Sequence, residues 1–400
     1  MSNCLICHAD MFNAVLDLGN SPLAADFRRD RQEALTLPRY ELQLDQCASC
    51  HHVQLGTVVP DELLWEGDYG FYSSASSVVV EHSQAYADWI MNSMPRLARD
   101  SVVEIACNDG VLLNALLQRH GIMGLGVDPS PGPVAAARER GLRVRQQAFS
   151  NPVAVDIVES QGRASLIIAN NVLGHVADLH DFMAGIDTLL APHGFIVFEF
   201  QYLGDLLAGN QIDHVYHEHR SFFTLTALQH LLGAYQMRAL GVERVDMQGG
   251  SLRVVCARFG WPDHSVRAMM RAEESWVGLA FQGLQQRADH IRARLREILW
   301  KAYDKHQIVA AYGASAKSTT LFSFCDIGPE LVSYFVDTTP AKIGRYSPGA
   351  AIPIVSPEAD SRLPDIYLLT VWNYARHVMR RERGRFSGDW LVPIPVPVLL

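Results

Sequence analysis

Side chains able to move protons crowd the segment NQIDHVYHEHR, which runs from residue 210 to residue 220. Removing a proton from a carbon beside a ketone needs a base with a pKa near neutrality and a donor facing the oxygen that becomes an enolate. Histidine and tyrosine can supply these two groups, and Glu218 can orient or charge a histidine. Two other interpretations stay open. One is a metal site, although HExxH is absent and His217 and His219 would diverge on a helix, and the other is a polar loop without chemistry.

Two cysteine pairs of the form CxxC lie near the start of the chain, and they are Cys4 with Cys7 and Cys47 with Cys50. Thiolates at this spacing share a tight turn and can reach one ion, and two such turns complete a tetrahedron around Zn²⁺. A redox pair or free structural cysteines are the competing interpretations. Because both pairs fall in one short segment, the pattern favours a structural zinc site.

A nucleoside-binding pattern occupies the segment VEIACNDG at 103–110, where an apolar strand ends in a loop of small residues and a helix begins. Asp128 ends the next apolar strand, where a carboxylate can accept hydrogen bonds from both ribose hydroxyls. The three-glycine dinucleotide fingerprint is missing because Ala106 and Asn108 stand in the loop, so the pattern favours S-adenosylmethionine (SAM) over NAD. A strand-to-helix turn without a ligand is the alternative. The predicted cofactor-binding residues are Glu104, Ala106, Asn108, Asp109, Gly110, Asp128, Pro129 and Asn170.

Strands and helices that can hold these residues alternate along the chain. A helical region is predicted at about 80–98, and strand-like and helix-like segments then alternate from VVEIA at 102–106 to GFIVFEF at 194–200. This alternation predicts a parallel sheet with right-handed crossovers. A late pair of strands is predicted within 239–259, and a mostly helical stretch at about 263–305 precedes a second strand-loop-helix pattern. We therefore expect an α/β protein with two successive α/β units.

Composition limits the classes of partner. The chain has 400 residues and a formal charge of −9, with no basic run, so we expect no nucleic-acid partner. No apolar stretch reaches the roughly 18 residues of a membrane span, and the first residues do not resemble a signal peptide. We expect a cytoplasmic protein that is a monomer or a weak homo-oligomer.

Several motifs in order resemble the nucleotide-sugar C-methyltransferases of deoxysugar biosynthesis, a SAM-dependent family that makes 3-C-methyl sugars from dTDP-4-keto-deoxysugars. The likeness extends from one end of the chain to the other. The motifs that carry it are the paired cysteines, LGNSPLA at 18–24, the loop at 104–110, GNQIDHVYHEH at 209–219, GGSLR at 249–253, YGASAK at 312–317 and FVDTTPAKIGRYSPG at 335–349.

Three domains are implied by this resemblance. They are a zinc-binding domain at 1–70, a central Rossmann-like class I SAM methyltransferase domain at 71–262, and at 263–400 a helical linker followed by a C-terminal Rossmann-like, substrate-binding domain. The cofactors would be SAM and a structural Zn²⁺. The partner would be a nucleotide-linked 4-keto-deoxysugar, methylated at C-3 through an enolate.

Catalytic roles are also implied by the resemblance. The second histidine of the YHEH motif is the family's general base, and here it is His219. Tyr216 and Glu218 occupy the supporting places, and His175 matches the family's other active-site histidine.

Substrate contacts are predicted on both sides of the cleft. An aromatic residue after the zinc domain closes the family's pocket, and two tyrosines fit that place equally well. Cationic residues of the C-terminal unit can meet the substrate diphosphate, with a solvated surface charge as the alternative for each. The predicted substrate-binding residues are Tyr69, Tyr72, Ser73, Lys317, Lys342 and Arg345.

Two other functions remain open from the sequence. The same fold and cofactor can serve methylation of oxygen or nitrogen on a related small molecule, because a fold does not fix the acceptor. The other function, of a different class, is a zinc-ribbon interaction module fused to catalytically idle α/β domains.

Overall fold

The computed structural model describes residues 3–65, 71–358 and 363–400, so the predicted substrate residue Tyr69 lies outside the described part.

The N-terminal unit is a small antiparallel sheet. Strand β2 pairs with β1 on one side and with β3 on the other. The elements of this unit are β1 (Phe12–Ser21), α1 (Arg31–Leu35), β2 (Tyr40–Cys47), β3 (Val53–Leu55) and α2 (Asp61–Trp65).

The central unit contains a seven-stranded sheet flanked by helices. Its elements are α3 (Ser77–Ser93), α4 (Pro95–Asp100), β4 (Val102–Ile105), α5 (Val111–His120), β5 (Leu125–Asp128), α6 (Pro131–Glu139), β6 (Arg143–Gln146), α7 (Asn151–Gln161), β7 (Ala164–Asn170), α8 (Leu179–Leu189), β8 (Leu190–Gln201), α9 (Leu203–Ala208), β9 (Ser221–Phe222), α10 (Leu225–Gly233), β10 (Arg238–Val245) and β11 (Ser251–Ala257).

The strand order in this sheet is β10-β11-β8-β7-β4-β5-β6. Strands β4 to β8 run parallel, and β11 is antiparallel to both β8 and β10. The order reverses between β4 and β7, and ligands of doubly wound sheets bind at such a point, beyond the carboxyl ends of the strands. Strand β4 is buried at every residue, as expected for a parallel strand with helices on both faces. The predicted class I methyltransferase fold and its late strand pair are confirmed.

The predicted helical region at about 80–98 is confirmed, and it consists of two helices. The structure has α3 from Ser77 to Ser93, a break at Met94, and then α4 from Pro95. Met94 adopts φ −137° and ψ 46°, outside the helical region. A proline disfavours helical geometry in the preceding residue and has no N–H to continue the ladder, so the helix ends here.

The C-terminal unit is a second Rossmann-like sheet of order β14-β13-β12-β15-β16-β17. Strands β12 to β16 are parallel, and β17 is antiparallel to β16. The predicted helical stretch before it is confirmed as α11 and α12. The elements are α11 (His264–Glu274), α12 (Leu284–Asp304), β12 (Val309–Tyr312), α13 (Ala316–Cys325), β13 (Tyr334–Val336), β14 (Ile354–Val355), β15 (Ile366–Leu369), α14 (Ala375–Glu382), β16 (Asp389–Val392) and β17 (Val398–Leu399).

One strand joins two units. Strand β9 follows the His219 segment, yet it pairs with β3 and becomes the fourth strand of the N-terminal sheet. The pairing sets Val53 opposite Phe222 and Gln54 opposite Ser221. The last strand of the N-terminal sheet therefore begins two residues after His219. The domain boundaries at 70 and 262 stay a prediction.

Candidate active site

The four cysteines of the N-terminal unit form one cluster. Their sulfur atoms all lie within 4.8 Å of one another. The Sγ atoms of Cys4 and Cys50, and those of Cys7 and Cys47, are 3.5 Å apart. Tetrahedral Zn²⁺ with Zn–S bonds of about 2.3 Å places thiolates roughly 3.8 Å apart, so the cluster fits zinc.

Both CxxC turns have the same backbone geometry. The N–H of His8 donates to the carbonyl of Cys4, and the N–H of His51 donates to the carbonyl of Cys47, each at 3.0 Å. His8 and His51 both have a positive φ, 59° and 60°. Two matching turns present their sulfurs to one point from opposite sides, as a tetrahedral ion requires.

The predicted cofactor crevice lies at the loop after β4. Ala106, Asn108 and Gly110 all have a positive φ, so the loop turns sharply and exposes its backbone before α5 begins. The N–H of Asn108 donates to Asp128 Oδ2 at 2.8 Å, and the N–H of Ser130 donates to Asp128 Oδ1 at 2.9 Å. Asp128 therefore fixes the loop while standing at the strand end where a ribose-binding acid belongs.

The other predicted cofactor residues lie around this crevice with different exposures. Glu104 is buried, and burial, reinforced by the nearby charges of Asp128 and Asp109, raises the pKa of its carboxyl to about 8. Asn170 ends β7 and accepts a hydrogen bond from the Tyr86 hydroxyl at 3.3 Å. Pro129 is exposed at the rim.

A segment before α3 is tied onto the cofactor loop. Asn108 accepts a hydrogen bond from the N–H of Ser73 at 2.9 Å, and its amide donates to the carbonyl of Phe71 at 3.1 Å. Asp109 accepts from the N–H and the hydroxyl of Ser74. The side chain of Asn108 and Oδ2 of Asp109 thus bind this segment, in which Ser73 donates from its backbone, while Oδ1 of Asp109 is buried without a hydrogen-bond partner. Tyr72 lies against Gly132, beside the start of α6.

The hydrogen bonds of His219 fix its tautomer. Its Nδ1 lies 2.8 Å from the carbonyl oxygen of His214, which can only accept, so Nδ1 carries the hydrogen. Its Nε2 lies 2.7 Å from the hydroxyl of Tyr216 and therefore presents a lone pair to it. The ring of His175 stands edge-on to that of His219, with centroids 5.0 Å apart. The tight turn at 216–219, rather than a helix, brings these groups together.

Burial keeps both histidines neutral. It lowers the pKa of His219 well below its usual range, and the neighbouring His175 adds to this effect. Burial and the charge of Arg220 lower the pKa of His175 to about 4. Burial raises the pKa of Glu218 to about 7, although Lys342 opposes the rise. His219 is thus neutral at pH 7 and able to accept a proton, but its pKa lies below the near-neutral value that suits a general base best.

A cavity of about 660 Å³ lies between the central and C-terminal units. Its walls include all four predicted catalytic residues and Tyr72. They also include the predicted cations Lys317, Lys342 and Arg345. Lys317 is only 7% exposed, so for this residue the alternative of a solvated surface charge is wrong.

Arg220 is a residue that the sequence interpretation missed. Its side chain is 1% exposed, donates to the carbonyl of Val59 at 2.7 Å, and pairs with Asp61 at 2.6 Å. It also donates to the carbonyl of His175 at 3.4 Å. It thus links the loop after β3 to the turns that carry both histidines. Its place directly after His219 was the signal available in the sequence.

Comparison with known proteins decides the family. The model described as "Putative zinc binding domain" matches residues 4–65, "Methyltransferase domain" matches 80–240, and "C-methyltransferase C-terminal domain" matches 246–395. The C-methyltransferase NovU of Streptomyces niveus is 32% identical over 407 residues, which cover 99% of this chain and 96% of NovU. The chain belongs to this C-methyltransferase family. It is therefore a SAM-dependent C-methyltransferase with an N-terminal zinc site. The alternative of a zinc-ribbon interaction module fused to catalytically idle domains is wrong.

More distant relatives share only the central part. A ubiquinone biosynthesis O-methyltransferase of Azorhizobium caulinodans is 30% identical over 100 residues, covering 24% of this chain and 38% of that protein. The SAM-bound magnesium protoporphyrin IX methyltransferase of Synechocystis PCC 6803 is 16% identical with a TM-score of 0.34, covering 49% of this chain and 89% of that one. Among the described helices, none has both the length and the apolar character needed to cross a bilayer.

The acid at the end of β5 gives a direct test of the cofactor crevice. We expect Asp128→Ala to weaken SAM binding about tenfold to hundredfold, because a hydrogen bond to a charged group contributes about 1.5–3 kcal/mol. Isothermal titration calorimetry measures this. Asp156→Asn, an exposed acid on α7, is the control and should bind SAM as the unaltered enzyme does. Equal affinities of both variants would contradict the assignment of Asp128.

Proposed function

We propose that this C-methyltransferase acts on a nucleotide-linked 4-keto-deoxysugar and methylates C-3, with His219 as the base. The observation that carries the proposal is the cavity itself. The cavity extends from Nε2 of His219, whose imidazole has a fixed lone pair, to the carboxyl ends of β12 and β13. One end of the cavity therefore suits a reacting sugar, and the other suits a nucleotide at a Rossmann-like crevice.

Tyr216 is the partner of the base in this proposal. In the free enzyme its hydroxyl donates to His219 Nε2. A bound ketone would compete for that donor, so that Tyr216 turns toward the carbonyl oxygen and leaves the lone pair facing the C-3 hydrogen. The proton then passes from C-3 to His219 Nε2, and the electron pair forms the enolate.

Two neighbours keep this arrangement in place. His175 packs edge-on against His219 and restricts the orientation of its ring. Glu218 lines the same cavity, and its pKa of about 7, raised by burial, lets it hold or release a proton near neutral pH. We therefore propose that His175 and Glu218 support His219 in its role as the base.

Positioning supplies much of the acceleration. SAM, when bound at the 104–128 crevice, supplies an electrophilic methyl group for in-line attack by C-3. Holding two reactants in attack geometry removes up to about 7–11 kcal/mol of the barrier. The segment tied by Asn108 and Asp109 places Tyr72 between the crevice and the cavity, where it can exclude water and cover the substrate.

The nucleotide end of the cavity carries cations. The Nζ atom of Lys342 lies 3.8 Å from Oδ2 of Asp337, which follows β13, and it also lies over the ring of Phe27. Arg345 donates to the carbonyl of Phe27 at 3.2 Å. Both line the cavity, and we propose them as the contacts of the diphosphate. A cavity of about 660 Å³ lies within the usual range for small-ligand sites.

We further propose a cytoplasmic enzyme, acting as a monomer or weak homo-oligomer without nucleic acid or membrane. All seven cysteines are unpaired, and a thiolate zinc site needs a reducing compartment.

Hydrogen exchange tests the carbon chemistry. The enzyme is incubated in D₂O with dTDP-4-keto-6-deoxyglucose and S-adenosylhomocysteine, which occupies the cofactor crevice but has no methyl to transfer. We expect deuterium to enter C-3 faster than in a control without enzyme, because His219 forms the enolate before methyl transfer. Nuclear magnetic resonance at C-3 and mass spectrometry measure the label.

The same experiment separates the alternatives. An enzyme that methylates oxygen or nitrogen has no reason to remove the C-3 proton, so exchange at the background rate would contradict the proposal. Label at C-5 alone would keep the enolate chemistry and overturn the assignment of the carbon.

A further inference from the structure

Lys317 differs in its contacts from Lys342 and Arg345, the two other predicted cations of the cavity, which Arg381 also lines. It is in the first turn of α13, its side chain is 7% exposed, and it shares the cavity wall with His214 and His219. Its ammonium donates to Asn373 and lies 5.4 Å from the ring centroid of Trp372. Lys342 instead lies over the ring of Phe27 and donates to the carbonyl of Ala314, and Arg345 donates to the carbonyl of Phe27. Lys317 thus has polar and aromatic partners that these two cations do not share.

The segment that carries the base packs directly on α13. Thr320 donates to the carbonyl of Val215 at 2.8 Å. The Trp372 indole N–H donates to Asp213 Oδ2 at 2.7 Å, and its ring stands edge-on to that of His214 with centroids 5.9 Å apart. His214, whose carbonyl holds His219 in its tautomer, thus stands between the base and the Lys317 wall.

Polar atoms around Lys317 are left without partners. Within the described part of the chain, Asp213 Oδ1, His214 Nε2 and Asn373 Nδ2 are buried and make no hydrogen bond. Asp213 and His214 are only 1% and 3% exposed. Unpaired buried polar atoms are costly, and of these residues His214 lines the cavity, where a polar group of a bound ligand can become the partner of its Nε2.

We propose that Lys317 is a catalytic residue that stabilises the enolate oxygen, rather than a ligand of the diphosphate. This inference rests on the proposed function. When His219 takes the C-3 proton, the C–H pair forms the C-3 to C-4 double bond and the carbonyl π pair moves to the oxygen. That oxygen gains the charge, and a preorganised ammonium in a site sheltered from water stabilises it strongly.

The surroundings of Lys317 keep it in the required charge state. Burial lowers the pKa of its ammonium to about 8, and Asp213 opposes that shift. The residue is therefore mainly protonated at pH 7. One of its three N–H groups is used by Asn373, and the oxygen of a substrate can accept another.

Two variants separate this role from diphosphate binding. Lys317→Met removes the charge at the proposed oxyanion site, and Lys342→Met removes a charge at the proposed diphosphate site. Three quantities are measured for each: deuterium entry at C-3 with S-adenosylhomocysteine present, kcat for methyl transfer, and the Kd for thymidine diphosphate. Melting temperature and SAM affinity verify the fold, and Lys317→Gln replaces Lys317→Met if the latter does not fold.

We expect Lys317→Met to lower exchange and kcat together by about 100- to 1,000-fold, as loss of an oxyanion donor does, with the Kd for thymidine diphosphate within about threefold. Lys342→Met should mainly raise that Kd. The inference is overturned if the unaltered enzyme exchanges C-3 and Lys317→Met does so equally, or if Lys317→Met loses thymidine diphosphate binding while kcat recovers at saturation. No exchange by the unaltered enzyme would instead overturn the proposed function itself.

Discussion

Replacing His219 by asparagine is expected to lower methyl transfer by about 100- to 10,000-fold, the usual contribution of a positioned general base. The amide can still donate to the carbonyl of His214, which now accepts from Nδ1 at 2.8 Å. It has no lone pair basic enough to remove the C-3 proton. Because His219 lies outside the loop that joins β4 to α5, SAM should bind to the variant as before. Single-turnover kinetics and calorimetry measure the two quantities.

A histidine on the surface serves as the matched control. His230→Asn changes an exposed position of α10 and should leave turnover unaltered. Deuterium entry at C-3 should fall with turnover in His219→Asn, since both need the same proton transfer. Full turnover by the asparagine variant, or lost SAM affinity of the same size as lost turnover, would contradict the role of His219.

Removal of zinc should abolish activity as well as unfold the N-terminal unit. Structural zinc contributes on the order of 10–16 kcal/mol in zinc-finger peptides, and the N-terminal sheet is small. That sheet includes β9, and Arg220 ties the loop after β3 to the His175 turn. Loss of the metal therefore releases the turns that carry His175 and His219. We expect Cys47→Ser to lower the melting temperature and to reduce kcat more than SAM affinity.

Metal content and activity are compared in the same preparations. Elemental analysis should give one zinc per chain in the unaltered enzyme and less in Cys47→Ser. Cys325→Ala, a buried cysteine in α13 away from the cluster, should keep its zinc. A zinc-free enzyme with unchanged kcat would show that the N-terminal sheet does not position the base.

Local patterns predicted much of this molecule. Paired cysteines, alternating apolar segments and an acid at the end of β5 depend on short-range spacing, and each was in place in the structure. Pro95 was also a local signal for the break between α3 and α4, but the predicted helical region was not divided there. The contacts that needed the fold were of another kind. Nothing near Trp372 indicates that its indole reaches Asp213, a residue far away in the sequence.

The active-site cations show the same limit. The sequence gives the same two interpretations, a diphosphate contact or a solvent-facing charge, for Lys317, Lys342 and Arg345. In the folded chain, α13 packs against residues 213–215, and Lys317 is buried with contacts to Trp372 and Asn373 that Lys342 and Arg345 do not share. Likewise, Ser74 binds Asp109 across two elements, and no periodic pattern encodes that pairing. Burial and pairing between distant segments are therefore what the sequence left undetermined.

Strand β9 constrains how such enzymes can be recombined. A chimera that took its first 70 residues from one relative and the rest from another would join β3 to a foreign β9, and Arg220 to a foreign loop. The smallest interchangeable block is thus discontinuous, consisting of the N-terminal sheet together with the two-residue strand after His219. Sequence drift at Val53 or Gln54 in one lineage is expected to be matched by compensating drift at Phe222 or Ser221.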